Sequence, residues 1–192
     1  MRSSVSHGSV SIADHLQQAR EQWRWRGLAR PPFAVIPQPG QESVWDYPRP
    51  PRLAPDTREV VVRWGTLQVA QTTRAMRVLE TAHPPCFYLP WKDVVERVFR
   101  PAAGSSLCEW KGRARYWTLI DGDRQLPAVA WSYPSPLPGA EALAECVALY
   151  ASGLECRVAG ALVRPQPGGF YGGWITPEVT GPFKGEPGSG GW

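Results

Sequence analysis

The last part of the chain, residues 164–192, is rich in glycine, proline and large aromatic residues. Glycine adopts backbone conformations that other residues avoid and proline removes a hydrogen-bond donor, so this composition disfavours a regular helix or strand. A disordered tail is normally poor in aromatic residues and rich in charge. This segment instead carries Phe170, Tyr171, Trp174, Phe183 and Trp192. We therefore expect it to pack as a strap onto a folded core.

The composition of the whole chain indicates a globular, mainly β protein. Its 192 residues suit a single domain, since domains usually span roughly 100–200 residues. Hydrophobic residues make up 43% and charged residues 20%, while 21 prolines and 19 glycines disfavour a helical bundle. The chain also carries 10 tryptophans, and so many large rings favour a flat-walled ligand pocket in addition to a core.

Charge, targeting signals and cysteines argue against several functional classes. The net charge of +4 is spread along the chain, so it does not by itself indicate nucleic-acid binding. Residues 1–10 lack the apolar centre of a signal peptide, and no run of about 18 apolar residues occurs, so we expect a cytoplasmic protein with no membrane partner. The four cysteines form no C-x-x-C pair. We expect reduced thiols, no metal and no cofactor.

Short strands dominate the predicted secondary structure. Hairpin signals lie at residues 59–70, 115–133 and 154–163, and another strand is predicted at 86–89. Helical periodicity predicts helices at residues 11–27, 91–99 and 138–150. We expect one folded domain over residues 44–192, preceded by an N-terminal extension, residues 1–43, that holds the first helix and a proline-rich linker.

Tryptophan and arginine alternate at residues 23–26, near the end of the first predicted helix. Such a pattern occurs in segments that lie on a membrane surface or stack on nucleotides. It also fits an amphipathic extension that docks on its own domain. We expect the last of these three alternatives.

The register of the central hairpin decides which aromatic residues share a face, because side chains alternate with a period of two. A three-residue loop at 121–123 would place Trp117 on the same face as Trp131 and Tyr133. A two-residue loop would place Tyr116 there instead. In both cases Trp131 gains an aromatic neighbour.

Several short motifs stand out along the chain. They are residues 44–52 (VWDYPRPPR), 79–85 (LETAHPP), 108–112 (CEWKG), 130–134 (AWSYP) and the glycine-rich strap. In these motifs the chain resembles the bacterial and fungal DUF427 family, whose function is unknown. The resemblance covers residues 44–192 and implies a compact antiparallel fold of the Mss4-like or β-tent type, with one or two short helices. That fold often holds zinc on two cysteine pairs, which this sequence lacks, so the metal is not implied here.

The DUF427 family carries a nucleotidyltransferase-like label, and Asp121 and Asp123 faintly resemble the metal-binding carboxylates of such enzymes. Asp-Gly-Asp at a hairpin tip is more simply a turn, because Asp and Gly are the residues that a tight turn requires. The Walker phosphate loop, the G-x-S-x-G elbow and the H-E-x-x-H motif do not occur. No familiar catalytic signature therefore identifies a reaction.

Glu80 and His83 are the best candidates for acid–base chemistry. A carboxylate and an imidazole three residues apart can act together in proton transfer, with His83 as general acid or base and Glu80 as its orienting partner. Alternatively, both side chains hydrogen-bond backbone groups where the double proline, Pro84-Pro85, ends a strand.

An aromatic pocket is the best candidate for a binding site. We expect Lys111 to attract an anionic group, and Tyr88, Trp117, Trp131 and Tyr133 to form pocket walls. The alternatives are a solvated surface lysine and aromatic rings that belong to the packed core. Cys108 would be a nucleophile only if its neighbours lowered its pKa, and we expect it to be buried and inert. The glycines at 172–173 would let residues 170–174 act as a flap over the pocket, and the alternative is that this segment packs as a static belt.

These features favour a domain that binds, and in one version transforms, a small planar or anionic molecule. One alternative is a protein-interaction module that uses the strap and the N-terminal arm as partner surfaces. A single-stranded nucleic-acid binder is a further alternative, since aromatic residues with scattered arginines suffice for it.

Overall fold

The structure, a computed structural model, describes residues 11–192 and is mainly β. The single α-helix of that part, α1, spans Ile12–Glu21. The strands are β1 (Glu42–Ser43), β2 (Arg52–Asp56), β3 (Val60–Trp64), β4 (Leu67–Thr72), β5 (Ala75–Leu79), β6 (Cys86–Pro90), β7 (Phe99–Cys108), β8 (Gly112–Asp121), β9 (Arg124–Ser132), β10 (Cys146–Leu149), β11 (Glu155–Val158), β12 (Ala161–Leu162), β13 (Arg164–Pro165), β14 (Trp174–Ile175) and β15 (Val179–Thr180).

Two antiparallel sheets form the body of the domain, as the composition and the strand pattern predict. The larger has seven strands in the order β2-β5-β6-β10-β9-β8-β7, and the smaller has four in the order β12-β11-β3-β4. Pro55 and Pro101 lie in β2 and β7, the edge strands of the larger sheet, where a missing backbone donor is tolerated. The strand pairs β13–β14 (antiparallel) and β1–β15 (parallel) are short additions.

The central strands of the larger sheet are buried on both faces. On one face Phe87, Leu89 and Val147 belong to a core cluster that also contains Val60 and Val62 of the smaller sheet. On the opposite face, Tyr88, Trp131, Tyr133 and Ala148 belong to a second buried cluster. The candidate site lies on this second face.

Two of the three predicted helices are wrong. Residues 91–99 form two 3₁₀ turns, Trp91–Asp93 and Glu96–Val98. Residues 138–150 form a 3₁₀ turn, Glu141–Leu143, followed by β10. All of β10 is buried between neighbouring strands, and a continuous apolar run has no periodicity that separates a buried strand from a helix.

The predicted N-terminal helix is present but shorter than expected. It begins with a capping box in which the Ser11 and Asp14 side chains bind each other's backbone N–H groups, and it ends at Glu21 rather than Gly27. Over residues 11–192, no helix has both the length and the apolar character that crossing a bilayer requires.

The strap is part of the folded body. Trp174 is fully buried, stacks on Phe87 with ring centroids 5.1 Å apart, and donates from Nε1 to the Leu149 carbonyl at 2.8 Å. Trp192 packs against Phe33 and Trp45 at centroid distances of 5.1 and 5.2 Å. The strap therefore contacts both the core and the N-terminal segment.

Candidate functional site

A cavity of about 260 Å³ opens on the second face of the larger sheet. Six of the seven residues predicted for the site line it, and these are Glu80, His83, Tyr88, Lys111, Trp131 and Tyr133. They come from the end of β5, the turn after it, β6, the turn between β7 and β8, and the end of β9. The topology thus brings together residues that are up to 53 positions apart (133 − 80) in the sequence.

Trp117 is the exception, and its predicted place in the pocket needs correction. Asp121 pairs with Arg124, so the β8–β9 hairpin has a two-residue loop, and Tyr116 pairs directly with Trp131. Tyr116 therefore lines the cavity in place of Trp117, as the two-residue alternative predicts. The Trp117 ring lies in another groove, 5.0 Å from the Trp91 ring, and its Nε1 donates to Ser132 Oγ at 2.9 Å.

A buried charge cluster forms the floor of the cavity. Glu80 accepts from Arg49 Nε at 3.3 Å on one side, and its other oxygen lies 3.8 Å from Lys111 Nζ. The Arg49 side chain is fully buried, and those of Glu80 and Lys111 are only 12% and 13% exposed. Lys111 Nζ forms no hydrogen bond to any residue of the described part, and its ion-pair contact with Glu80 is long.

The charged state of this floor follows from its mutual contacts. Burial alone would raise the pKa of Glu80, but His83, Lys111 and Arg49 outweigh burial and hold it below its usual value. Burial alone would lower the pKa of Lys111, but Cys108 and Glu80 outweigh burial and place it well above its usual value. At neutral pH the cavity floor therefore presents a carboxylate next to an ammonium group.

His83 is held in one orientation by the backbone. Its Nδ1 lies 3.0 Å from the Thr81 carbonyl oxygen, which can only accept, so Nδ1 carries the hydrogen. Nε2 has no hydrogen-bond partner among residues 11–192, yet it is not one of the fully inaccessible polar atoms without a partner, so part of its surface is accessible. Burial lowers the pKa of His83, with Glu80 opposing this effect, so the ring is neutral near pH 7 and Nε2 carries a lone pair. The backbone-binding role considered for His83 thus involves only one of its nitrogens.

Aromatic rings form the walls above this floor. Trp131 Nε1 donates to Tyr88 Oη at 3.1 Å, and the two rings meet edge to face. Tyr133 packs 6.3 Å from Tyr88, and Tyr150 packs 4.5 Å from Trp131. Burial raises the pKa values of Tyr88 and Tyr133, so both hydroxyls stay protonated.

The mouth of the cavity is built by the two ends of the chain. Trp23, just after α1, donates from Nε1 to Glu109 Oε1 at 2.6 Å and lies under the Arg49 guanidinium, 4.0 Å from its ring centroid. From the strap, Tyr171 packs edge to face on His83 at 4.8 Å. The Trp-Arg segment therefore docks on its own domain, as expected.

Gly172 and Gly173 allow the strap to lie directly on the cavity walls. A Cβ atom on Gly172 would lie 2.0 Å from Trp131 Cη2, and one on Gly173 would lie 2.4 Å from Gln166 Oε1. The glycines are needed here for close approach to neighbouring groups. The Phe170 carbonyl is also held, since it accepts from Tyr150 Oη at 3.1 Å. Residues 170–173 therefore pack directly against the cavity walls and form a cover.

Comparison with known protein families supports the resemblance seen in the motifs. The profile of the family described as "Domain of unknown function (DUF427)" matches residues 52–162, which is more than half of the chain. The chain belongs to the DUF427 family. No curated protein matches it in sequence.

The region matched to DUF427 supplies Glu80, Lys111 and the walls of the cavity, but neither Arg49 of the floor nor the cover. Glu80, His83, Lys111 and the aromatic walls all lie within residues 52–162. Trp23 and Arg49 precede this region, and the Phe170–Gly173 segment follows it. The sequence predicted that residues 170–174 lie over the pocket, but it did not predict that Trp23 or Arg49 contributes to it.

The four cysteines of this DUF427 chain are free thiols, and the two that border the cavity are half-buried. Cys86 and Cys108 border the cavity, and burial raises the pKa of Cys86 to about 12, so its thiol stays protonated and is a poor nucleophile. In the part of the chain that the structure describes, no three His, Cys, Asp or Glu side chains are grouped to bind a metal ion. Asp121 and Asp123 lie at the β8–β9 turn and do not line the cavity.

Proposed function

We propose that this DUF427 protein binds a small planar molecule whose carbonyl or anionic oxygen contacts Lys111. The observation that carries the proposal is the Lys111 ammonium group, which is mostly but not fully buried, is charged, forms no hydrogen bond within residues 11–192, and borders an aromatic-walled cavity. A buried charged donor that lacks acceptors is costly unless a ligand or water supplies them. A ligand oxygen would satisfy it.

The aromatic walls supply the complementary part of the site. Tyr88, Tyr116, Trp131 and Tyr133 surround the cavity with π surfaces and hydroxyl groups. Pockets that bind small organic molecules typically combine aromatic walls with a few polar groups that fix the ligand's orientation. The volume of about 260 Å³ lies just below the range of drug-sized ligands, which supports a compact ligand with one ring system.

The cover favours a small molecule over a polymer. Trp23 and Tyr171 both pack against His83 and border the cavity on two sides, whereas a single-stranded nucleic acid needs an open groove along which successive bases stack. A protein-interaction role is the second candidate, because Leu28 and Ile36 in the N-terminal segment are largely exposed. Neither residue lines the cavity, so a partner that binds them would not need the charged floor.

Native mass spectrometry of the protein purified from its own host tests the proposal by detecting a co-purifying small molecule. Calorimetry with that molecule should show a drop in affinity of about tenfold or more for Lys111→Met, since a charge-assisted hydrogen bond is lost. Lys92→Met is the matched control, because Lys92 is exposed and outside the cavity. Equal affinities for the two variants and the wild type would contradict the proposal.

A further inference from the structure

Several polar atoms of the cavity form no hydrogen bond within residues 11–192. They include a Glu80 oxygen, the Tyr171 hydroxyl and three further atoms, His83 Nε2, Lys111 Nζ and Tyr133 Oη, on which the chemistry of the cavity depends most. Most other polar groups nearby are satisfied, such as the Trp131 indole by Tyr88 and the Tyr116 hydroxyl by Ser106. Buried polar atoms normally have partners, so groups left open in one cavity indicate a site at which a reacting molecule contacts them.

The three atoms differ in their chemical capacities. Neutral His83 offers a lone pair at Nε2, because the Thr81 carbonyl holds the hydrogen on Nδ1. Lys111 can only donate, and the protonated Tyr133 hydroxyl donates as well. The cavity therefore holds one base and two donors, within largely apolar walls that strengthen both kinds of contact.

Glu80 makes the base suitable for repeated use. It lies 3.8 Å from Lys111 and forms no hydrogen bond to His83, so it acts on the ring only through its charge: burial lowers the pKa of His83, and the Glu80 carboxylate opposes that effect. An imidazolium that forms on His83 is thus stabilised by a neighbouring negative charge, as in other acid–base pairs in which a carboxylate supports a histidine.

The same residues do not favour a covalent intermediate between the protein and its substrate. A lysine must be neutral to form a Schiff base, and Lys111 is held in its charged form by its neighbours. The Cys86 thiol is protonated and has no base assigned to it. General acid–base chemistry is the class that the open groups fit.

We propose that the cavity catalyses proton transfer at a carbon atom next to a carbonyl group, that is, the keto–enol isomerisation of a small aromatic oxo acid; this rests on the proposed ligand-binding function. In this step His83 Nε2 takes a proton from the carbon atom and the C–H bond breaks. Its electron pair forms a C=C bond, and the carbonyl oxygen becomes an enolate that accepts from Lys111 and Tyr133. His83 then returns the proton to the enolate oxygen, so no oxidant or co-reactant is consumed.

Hydrogen–deuterium exchange tests this assignment with phenylpyruvate, 4-hydroxyphenylpyruvate and indolepyruvate as probes. Proton NMR in D₂O follows the loss of the methylene signal next to the carbonyl group. The full-length wild type should accelerate this loss over buffer for at least one probe. His83→Asn, whose amide can still donate to the Thr81 carbonyl, should lower the accelerated rate by about 100-fold or more, because a general base contributes about 10²–10⁴-fold.

Calorimetry on the same samples separates binding from chemistry. His83→Asn should bind the reactive probe within about threefold of the wild type, whereas Lys111→Met should lose both affinity and rate. His15→Asn on the exposed face of α1 is the control and should change neither. Binding that depends on Lys111 without exchange above buffer, or equal exchange by His83→Asn and wild type, would overturn the proton-transfer step and leave the binding site standing. Failure of all three probes to bind and to exchange would overturn both.

Discussion

Lys111 and Glu80 face each other across 3.8 Å in the buried floor of the cavity, while Arg49 approaches the other oxygen of Glu80 to 3.3 Å. One carboxylate thus lies between two cations, and the cluster of three side chains carries a net positive charge. The longer contact leaves the lysine donors free, and the shorter one fixes the carboxylate. This asymmetry explains how the same glutamate can stabilise the fold and still leave a charged group for a ligand.

Removing the Glu80 charge should destabilise the protein strongly. Glu80→Gln leaves Arg49 and Lys111 as uncompensated buried cations, and removing one partner from a buried ion pair costs about 3–5 kcal/mol. Asp46→Asn is the matched control, because its pair with Arg30 is exposed and such pairs contribute about 0–1 kcal/mol. Urea unfolding of both variants measures the difference. A cost for Glu80→Gln as small as that of the control would show that the cluster is solvated.

Local signals in the sequence predict the hairpins well because a hairpin is specified by its turn and by the flanking strands. The β3–β4, β8–β9 and β11–β12 pairs all lie where these signals place them. The strand β7 could not be predicted in this way. It contains Pro101 and Gly104 and is mostly exposed, with a bulge between Pro101 and Ser105, so its sequence has the character of a loop. Its strand character comes from pairing with β8.

The residues of the candidate site also fall into a group that the sequence predicts and a group that it does not. Glu80, His83 and Lys111 are visible in the sequence because each lies in a short motif of polar residues beside glycine or proline. Tyr171 lies in the segment that the paired glycines predict over the pocket, whereas the place of Trp23 at the cavity depends on how the N-terminal segment docks, which no local pattern specifies. The Trp117 assignment depended on the length of one turn, and this length was not fixed by composition.

Phe183 should be the residue through which the last part of the strap contributes most to stability. It is only 8% exposed and belongs to a cluster with Val44, Trp45 and Tyr47. Phe183→Ala should lower the free energy of unfolding by about 3–5 kcal/mol and the Tm by about 6 °C or more. Phe170→Ala, at 65% exposure in the same strap, should change the Tm very little. Thermal melts of both variants decide the matter, and two equal melting curves would mean that residues 180–192 form a loose tail.

Gly172 should tolerate no side chain. A Cβ atom there would lie 2.0 Å from Trp131 Cη2 and 2.7 Å from Cζ3, so either the ring or the strap must move. We expect Gly172→Ala to cost about 1–3 kcal/mol, as overpacking of a tight site does, and to raise the accessibility of the Trp131 ring to an added quencher. Gly190→Ala is the control, since a Cβ atom at Gly190 meets nothing within 4 Å. If the alanine at 172 were as well tolerated as the one at 190, the strap would not lie on Trp131.

The stability of the protein should fall as the pH drops below about 6.5, in part through His83. Burial lowers the pKa of His83 in the folded state, with Arg49 and Lys111 adding to this effect and Glu80 and the Thr81 carbonyl opposing it. The unfolded chain, in which a histidine has a pKa of about 6.5, then binds the proton at a higher pH than the folded protein does. Protonation therefore favours unfolding between that value and the lower folded-state pKa, with a slope of at most about 1.4 kcal/mol per pH unit. Above about pH 7.5 this contribution is fully present and constant.

Urea unfolding between pH 5.5 and 8 isolates the contribution of His83 when wild type and His83→Asn are compared at each pH. The free energy of unfolding of the wild type, minus that of the variant, should stay constant at high pH and decrease below about pH 6.5. The Glu80 carboxyl does not interfere, since its pKa lies below its usual value and outside this range. His15→Asn should follow the wild type, because that residue is exposed. A difference that grows on acidification would mean that Glu80 raises the pKa of His83 above 6.5, and His83 would then enter the proposed reaction as an acid instead of a base.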